Sequence, residues 1–294
     1  MLRFYPALVL LLLVWYVPDV AAQQASPASA STVVSSVVPL GPSALPVATP
    51  SASLRAVPTA PDGLRRFGYW AVCDVLAVSD ELTPTRLGLA AGFVSLLPFL
   101  SFQDDDVGRS APSLRGEVGS PLLNVADEFG HARMQWVTGG LFLATLATDN
   151  TRLQDAAFTS FQSGVYAMLL SGAAKGLFGR VRPHEVESPA TFRPFSGHRS
   201  FPSGHTTLAF AIATPWAVYY PGPLTYGLMG LSAGTAVARL TTEHHWFTDV
   251  VAGAALGTLT GYWLAKRHLR DTTPLRVTPV LGPDGGGLSV TYTF

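Results

Sequence analysis

Charge is scarce in this sequence. Of 294 residues, 13% are Asp, Glu, Lys or Arg and 48% are hydrophobic. A chain so built buries a sizeable core yet has few groups to keep a surface wet, a balance that leans towards a membrane. The charge present cancels, with 19 Lys plus Arg against 19 Asp plus Glu. The broad positive field that nucleic-acid binding depends on is therefore missing, and nucleic acid is set aside as a partner. Cysteine is almost absent: Cys73 stands alone, so no internal disulfide forms, and no Cys/His cluster has zinc spacing. Cys73 reads as a small buried apolar residue. Long apolar runs are lacking too. Most last about 13–17 residues between charges, marginal for a bilayer and equally suited to helices within a compact bundle.

What is present divides the chain into four parts. Arg3, an apolar run over 7–17 and the small-residue exit Val20, Ala21 and Ala22 match a secretory signal at 1–22 cleaved after Ala22. An uncleaved anchor is the alternative, and either way the remainder is expected outside the cytoplasm. Residues 23–64 are Ala, Ser, Pro and Val with almost no charge and no sustained period, the composition of a flexible tether. From 65 to 271, helix-forming apolar stretches cover 85–102, 132–147, 153–178, 206–240 and 245–270, the fourth broken by Pro221, Gly222 and Pro223. That predicts an all-α bundle of about six helices, membrane-embedded or membrane-associated. The segments 206–219 and 250–265, with Tyr219, Tyr220, Tyr262 and Trp263 near their ends, suit a bilayer best. In 272–294, Val280, Leu281, Leu288, Val290, Tyr292 and Phe294 alternate around the turn 282–287, which predicts a terminal β-hairpin; two strands cannot close a barrel.

Three segments carry candidate chemistry. In the third, His245 and Asp249 are four apart, on one face of a helix, so a carboxylate can hold one imidazole nitrogen and leave the other to attack. Taken singly, a helix-surface His/Asp pair is the better reading. Arg239 upstream adds a cation suited to the oxyanions of a phosphoryl group. The second segment is Pro202-Ser203-Gly204-His205, just before a helix, where a hydroxyl and unpaired backbone N–H groups point at one spot. His205 is there a candidate general acid. An ordinary N-cap turn fits the same tetrapeptide, and Ser196-Gly197-His198 nearly duplicates it; the later copy is preferred because an unbroken helical pattern follows. In the first, Lys175 and Arg182 are seven apart, two turns of one helix that Pro183 ends, and two cations on one face call for an anion between them. A basic helix terminus is the plainer reading.

The order Lys175, six residues, Arg182-Pro183, then Pro202-Ser203-Gly204-His205, then Arg239, five residues, His245, three residues, Asp249 resembles the three-part signature of the type-2 phosphatidic acid phosphatase superfamily. Bacterial non-specific acid phosphatases and vanadium haloperoxidases share that signature. The resemblance covers 175–249, with helical context over roughly 65–270. It implies an all-helical, metal-independent phosphatase that needs no cofactor and works on a phosphorylated lipid or small phosphoester in a bacterial-type envelope, at the inner membrane facing the periplasm or in the periplasm itself. Lys175, Arg182 and Arg239 bind the phosphate with Ser203 and Gly204 assisting, His245 forms a phosphohistidine, His205 is the acid, and Asp249 orients His245. One departure stands out: Ala238 occupies the place of the usual Ser before the Arg, which removes a hydroxyl but no charge. His244 falls out of register with both Arg239 and Asp249. Asp104, Asp105 and Asp106 are read as a solvated loop rather than a metal site. The competing readings are a vanadate-dependent haloperoxidase, in which His245 holds vanadate, and a non-catalytic envelope protein.

Overall fold

In this computed structural model the described residues are 33–39, 63–81, 83–186, 188–271, 275–282 and 285–293. The expected signal at 1–22 lies outside them. The chain forms two units, Pro50–Thr273 and Met1–Thr49 with Pro274–Phe294. In the latter, β1 (Val33–Pro39), β2 (Leu275–Gly282) and β3 (Gly285–Thr293) pair antiparallel in the order β1-β3-β2, and only this backbone pairing is described. β1 falls within the stretch read as a tether, at the β-branched pairs Val33-Val34 and Val37-Val38.

The larger unit is all-α among its described residues. Its helices are α1 (Arg65–Glu81), α2 (Pro84–Ser101), α3 (Asp104–Val118), α4 (Ser120–Phe129), α5 (Arg133–Thr145), α6 (Thr151–Phe178), α7 (Gly204–Tyr219), α8 (Pro223–Thr241) and α9 (Phe247–Asp271). Three of them, α1, α3 and α4, exceed the expected six. Their sequences hide the helical period: α1 carries Gly68 and Asp74 among its apolar residues, and α3 opens on Asp104, Asp105 and Asp106 and contains Gly108, Pro112 and Gly116. The three aspartates are not a loop. They form the first turn of α3, where the positive end of the helix dipole favours them. Asp105 and Asp106 are exposed and Asp104 is fully buried.

α7 is the central helix, packed on α6, α8 and α9. It carries no charge, and its alternate alanines Ala209, Ala211 and Ala213 are fully buried. α9 lies against it through Gly253, Gly257 and Gly261, one per turn. A Cβ on Gly253 would stand 2.6 Å from the Ser203 carbonyl oxygen, and one on Gly257 or Gly261 would press on the carbonyls of Thr207 and Ala211. Only glycine permits this backbone approach, which brings the first turns of α7 and α9 together.

No helix among the described residues is long and apolar enough to cross a membrane. This corrects the reading of 206–219 and 250–265 as bilayer segments. α7 has 16 residues, about 24 Å of helix against a hydrocarbon core of about 30 Å, and its apolar surface is spent inside the bundle. α9 loses apolarity to Lys266, Arg267, His268 and Arg270 at its end. Large apolar side chains are nonetheless exposed on other helices: Val72, Val75 and Leu76 on α1, Val94, Leu96 and Phe99 on α2, and Trp136, Val137 and Leu143 on α5.

A second buried polar network lies within the bundle. His268 and Asp74 are both fully buried, with His268 Nε2 2.9 Å from an Asp74 oxygen and Nδ1 2.7 Å from Thr159 Oγ1. Asp74 also accepts from Gln162 Nε2 and Arg267 Nε, and the His268 ring stacks on Trp70 at 3.9 Å between centroids. Cys73, directly before Asp74, is half-buried rather than enclosed.

Candidate active site

α6 ends at Gly179, whose left-handed conformation (φ 55°, ψ 39°) lets its N–H donate to the Lys175 carbonyl. A side chain there would overlap the Arg193 carbonyl. The chain therefore leaves the helix before Arg182, which sits in extended backbone (φ −78°, ψ 156°). Lys175 and Arg182 are thus not two turns of one helix, as their spacing had suggested; a C-cap glycine intervenes. Lys175 Nζ donates to the carbonyls of Arg199, at 2.8 Å, and Pro202, at 2.5 Å, and its Cε lies 3.5 Å from where a Gly204 Cβ would be. Burial lowers its pKa to about 8, against the pull of Asp249 and with help from Arg182, Arg199 and Arg239. Arg182 is half-buried; its carbonyl accepts from the Glu185 N–H at 3.0 Å, and its guanidinium makes no hydrogen bond or ion pair among the described residues.

Ser203 caps α7 from extended backbone and is fully buried. Its N–H donates to the Asp249 carbonyl at 2.9 Å, and its hydroxyl accepts from Thr206 Oγ1 at 3.0 Å. The first N–H groups of α7, beginning at Gly204, have no partner within the helix and leave an anion-binding end beside Lys175. The duplicate His198 points away, with Nδ1 3.2 Å from Glu185.

Arg239, in the last turn of α8, is buried; its Nη1 lies 3.2 Å from both oxygens of Asp127, and its Nε has no hydrogen-bond partner among the described residues. Ala238 beside it is buried, and its carbonyl accepts from Thr241 and Thr242.

His245 and Asp249 meet, but not along a helix. Glu243 adopts φ 53°, which breaks the chain between α8 and α9, and α9 starts only at Phe247. Asp249 therefore stands in the first turn of α9, where its Oδ2 accepts from Trp246 N at 2.9 Å and from Ser200 Oγ at 2.5 Å, and lies 3.4 Å from His245 Nδ1. Its Oδ1 accepts from Arg180 Nη1 at 2.7 Å. Burial pushes Asp249 up, but the His245 bond and the Arg180 charge outweigh it and hold the carboxyl below its usual range. His244 turns aside, its Nδ1 2.8 Å from the Thr242 carbonyl.

The two imidazoles share one field. Burial depresses His245 to about 4, opposed by Asp249 and aided by Lys175 and Arg239. Burial likewise depresses His205 to about 4, aided by Arg239, His245 and His131 and opposed by Asp127. Without an anion, then, both rings are neutral at neutral pH. Lys175 lies within electrostatic reach of Arg182, Arg239 and Asp249, His245 within reach of Lys175, Arg239 and Asp249, and His205 within reach of Arg239 and His245.

Four residues escaped the sequence reading. Arg180 is 1% exposed and bridges Asp249 to Asp104, whose oxygen lies 2.6 Å from Nη2. Thr248 bonds both Arg180 and Asp104. Burial raises Asp104 more than Arg180 lowers it. Arg180 lies two residues before Arg182, inside a segment already singled out, so its charge was a usable signal. Asp104 and Asp127 come from α3 and α4, and no local pattern links them to the site. Among the described residues no group of three or more His, Cys, Asp or Glu side chains is placed to hold a metal ion.

Residues 158–272 match the PAP2 superfamily. A lipid A 1-phosphatase of Porphyromonas gingivalis is 36% identical over 107 residues, 34% of this chain and 22% of that protein. A lipid A 1-phosphatase of Rhizobium etli is 32% identical over 102 residues, 33% of this chain and 44% of that protein. The chain thus spans less than half the length of these relatives. A transmembrane PAP2-type phosphatidylglycerolphosphate phosphatase from Bacillus subtilis overlays with a TM-score of 0.48 at 18% identity, covering 63% of this chain and 96% of that one.

Proposed function

We propose that the helical unit is a metal-independent phosphatase that hydrolyses a lipid phosphate monoester or diphosphate through a phosphohistidine on His245. What supports this reading is that Lys175 lies against Gly204 at the start of α7 and, with Arg239, acts on His245, while Arg239 also acts on His205. Phosphoryl transfer asks a protein mainly to position groups and neutralise spreading negative charge. Lys175, Arg182 and Arg239 supply the positive charge, with Ser203 and the Gly204 backbone assisting beside Lys175. His245 Nε2 attacks phosphorus while the bond to the leaving oxygen breaks, and His205 gives that oxygen a proton. Water then cleaves the phosphorus–nitrogen bond, its proton passing to His205. Asp249, itself fixed by Arg180, Ser200 and the Trp246 N–H, holds Nδ1 and keeps Nε2 directed outward. The depressed His205 matters here: a bound phosphate dianion reverses the local field and restores affinity for the proton when it is needed.

The lipid is supported by the exposed apolar residues of α1, α2 and α5 and by the activity in the names of the lipid A 1-phosphatase relatives. With the expected signal at 1–22, they support an exported enzyme of a bacterial-type envelope, at the inner membrane with its site facing the periplasm or in the periplasm itself, with a hairpin tail at 272–294. Phosphate release from phosphatidate, a polyprenyl diphosphate, lipid A and a soluble ester, each in EDTA, tests the proposal. Release from a lipid phosphate that EDTA leaves intact is expected; EDTA-sensitive release overturns the metal-free mechanism, and bromide oxidation on adding vanadate and peroxide overturns the phosphatase.

A further inference from the structure

Asp127 lies at the end of α4, 31 residues before the start of the superfamily match at 158. Its place is nevertheless fixed against the site. Thr235 of α8 donates to the Ala126 carbonyl, and a Cβ on Gly234 would lie 2.9 Å from Ala126 Cβ. Just beyond, a Cβ on Gly130 would lie 2.7 Å from the His205 carbonyl oxygen. Backbone contact on both sides thus holds the C-terminal end of α4 against α8 and the first turn of α7. In that position the Asp127 carboxylate spreads both oxygens over a single Arg239 nitrogen, at 3.2 Å each, while Arg239 Nε stays unpartnered. The structural pairs of this bundle are closer, with Arg66–Asp155 at 2.7 Å and Arg180–Asp104 at 2.6 Å. The Asp127 side chain is 33% exposed, so the contact can open towards solvent.

Resting on the phosphatase reading, we infer that Asp127 is a positioning residue of the phosphate site: it holds Arg239 until substrate displaces it, and it sets a negative charge beside His205. His205 is faced by Asp127 from α4, by His131 from the turn after α4 (edge-on at 5.5 Å between ring centroids), by Arg239 from α8 and by His245 from the segment before α9. Asp127 is the one anion in that set. Its charge works against phosphate binding and for protonation of the acid, so its removal moves the two in opposite directions. A residue that merely supports the fold would impair both.

The test is Asp127→Asn in the full chain, with orthovanadate binding followed by calorimetry and kcat/KM followed against pH. Loss of one partly exposed ion-pair partner predicts orthovanadate binding about three- to fivefold tighter. The alkaline limb of the pH profile should move to lower pH, and Asp127→Glu should return both readings towards the wild type. If wild-type protein binds orthovanadate and Asp127→Asn binds it equally or more weakly with an unmoved limb, the inference is overturned while the phosphatase stands. If wild-type protein binds no orthovanadate, the phosphate site itself is overturned, and the inference with it.

Discussion

The bundle buries two His–Asp pairs, and they differ in what remains free. In His268–Asp74 both ring nitrogens are engaged, by Asp74 and by Thr159, and Trp70 covers the ring. Asp74 is held below its usual range, because bonds from His268, Arg267 and Gln162 outweigh the effect of burial. In His245–Asp249 one nitrogen is held, loosely at 3.4 Å, the other has no hydrogen-bond partner among the described residues, and Lys175 and Arg239 act on the ring. Two pairs of the same chemistry therefore serve different ends. A histidine with both nitrogens satisfied stabilises the fold, and one with an open nitrogen next to cations can attack a phosphate.

Substitution separates the two pairs. His245→Ala abolishes phosphate release while the variant unfolds close to the wild type, as turnover and thermal unfolding measured together will show. Arg239→Ala, which removes one preorganised donor from the phosphate, lowers kcat/KM by about 100- to 1,000-fold. His268→Ala leaves Asp74 buried with one partner fewer and costs about 3–5 kcal/mol in denaturant unfolding; at temperatures where that variant stays folded, its pH–rate profile keeps the wild-type shape. If His268→Ala instead erases the alkaline limb, the division between the pairs is wrong. The smallest effect is on stability against pH. His205 and His245 bind protons near 6.5 when unfolded and near 4 when folded, so the unfolded chain takes up protons first and stability declines as pH falls from about 6.5 towards 4. His205→Gln should flatten that decline in a melting-temperature series.

The same contrast explains how far the sequence could be read. Lys175, Arg182, Ser203, Gly204, His205, Arg239, His245 and Asp249 lie in three short segments whose spacing is local, and the fold carries those segments to one place. The backbone between them was less legible. Gly179 and Glu243 interrupt helices that the spacing alone extends, because a left-handed residue decides where a helix stops whatever face its neighbours share. Asp104 and Asp127 sat outside every motif. Their meaning depends on Arg180 and Arg239, which lie 76 and 112 residues away, and single-chain periodicity carries no information at that range. The helices that deliver them were missed for different reasons: polar, glycine- and proline-containing turns blur the apolar period of α3, and α4, at 10 residues, is too short to sustain one.

The most direct test of the mechanism is to mix enzyme with substrate labelled in the phosphoryl group, quench in alkali within a turnover and map the label by peptide. A covalent phosphate on the peptide containing His245, stable in alkali, lost in acid and absent from His245→Ala, is the result expected. Label on any other residue, or turnover with no protein-bound phosphate at any time, would contradict attack by His245.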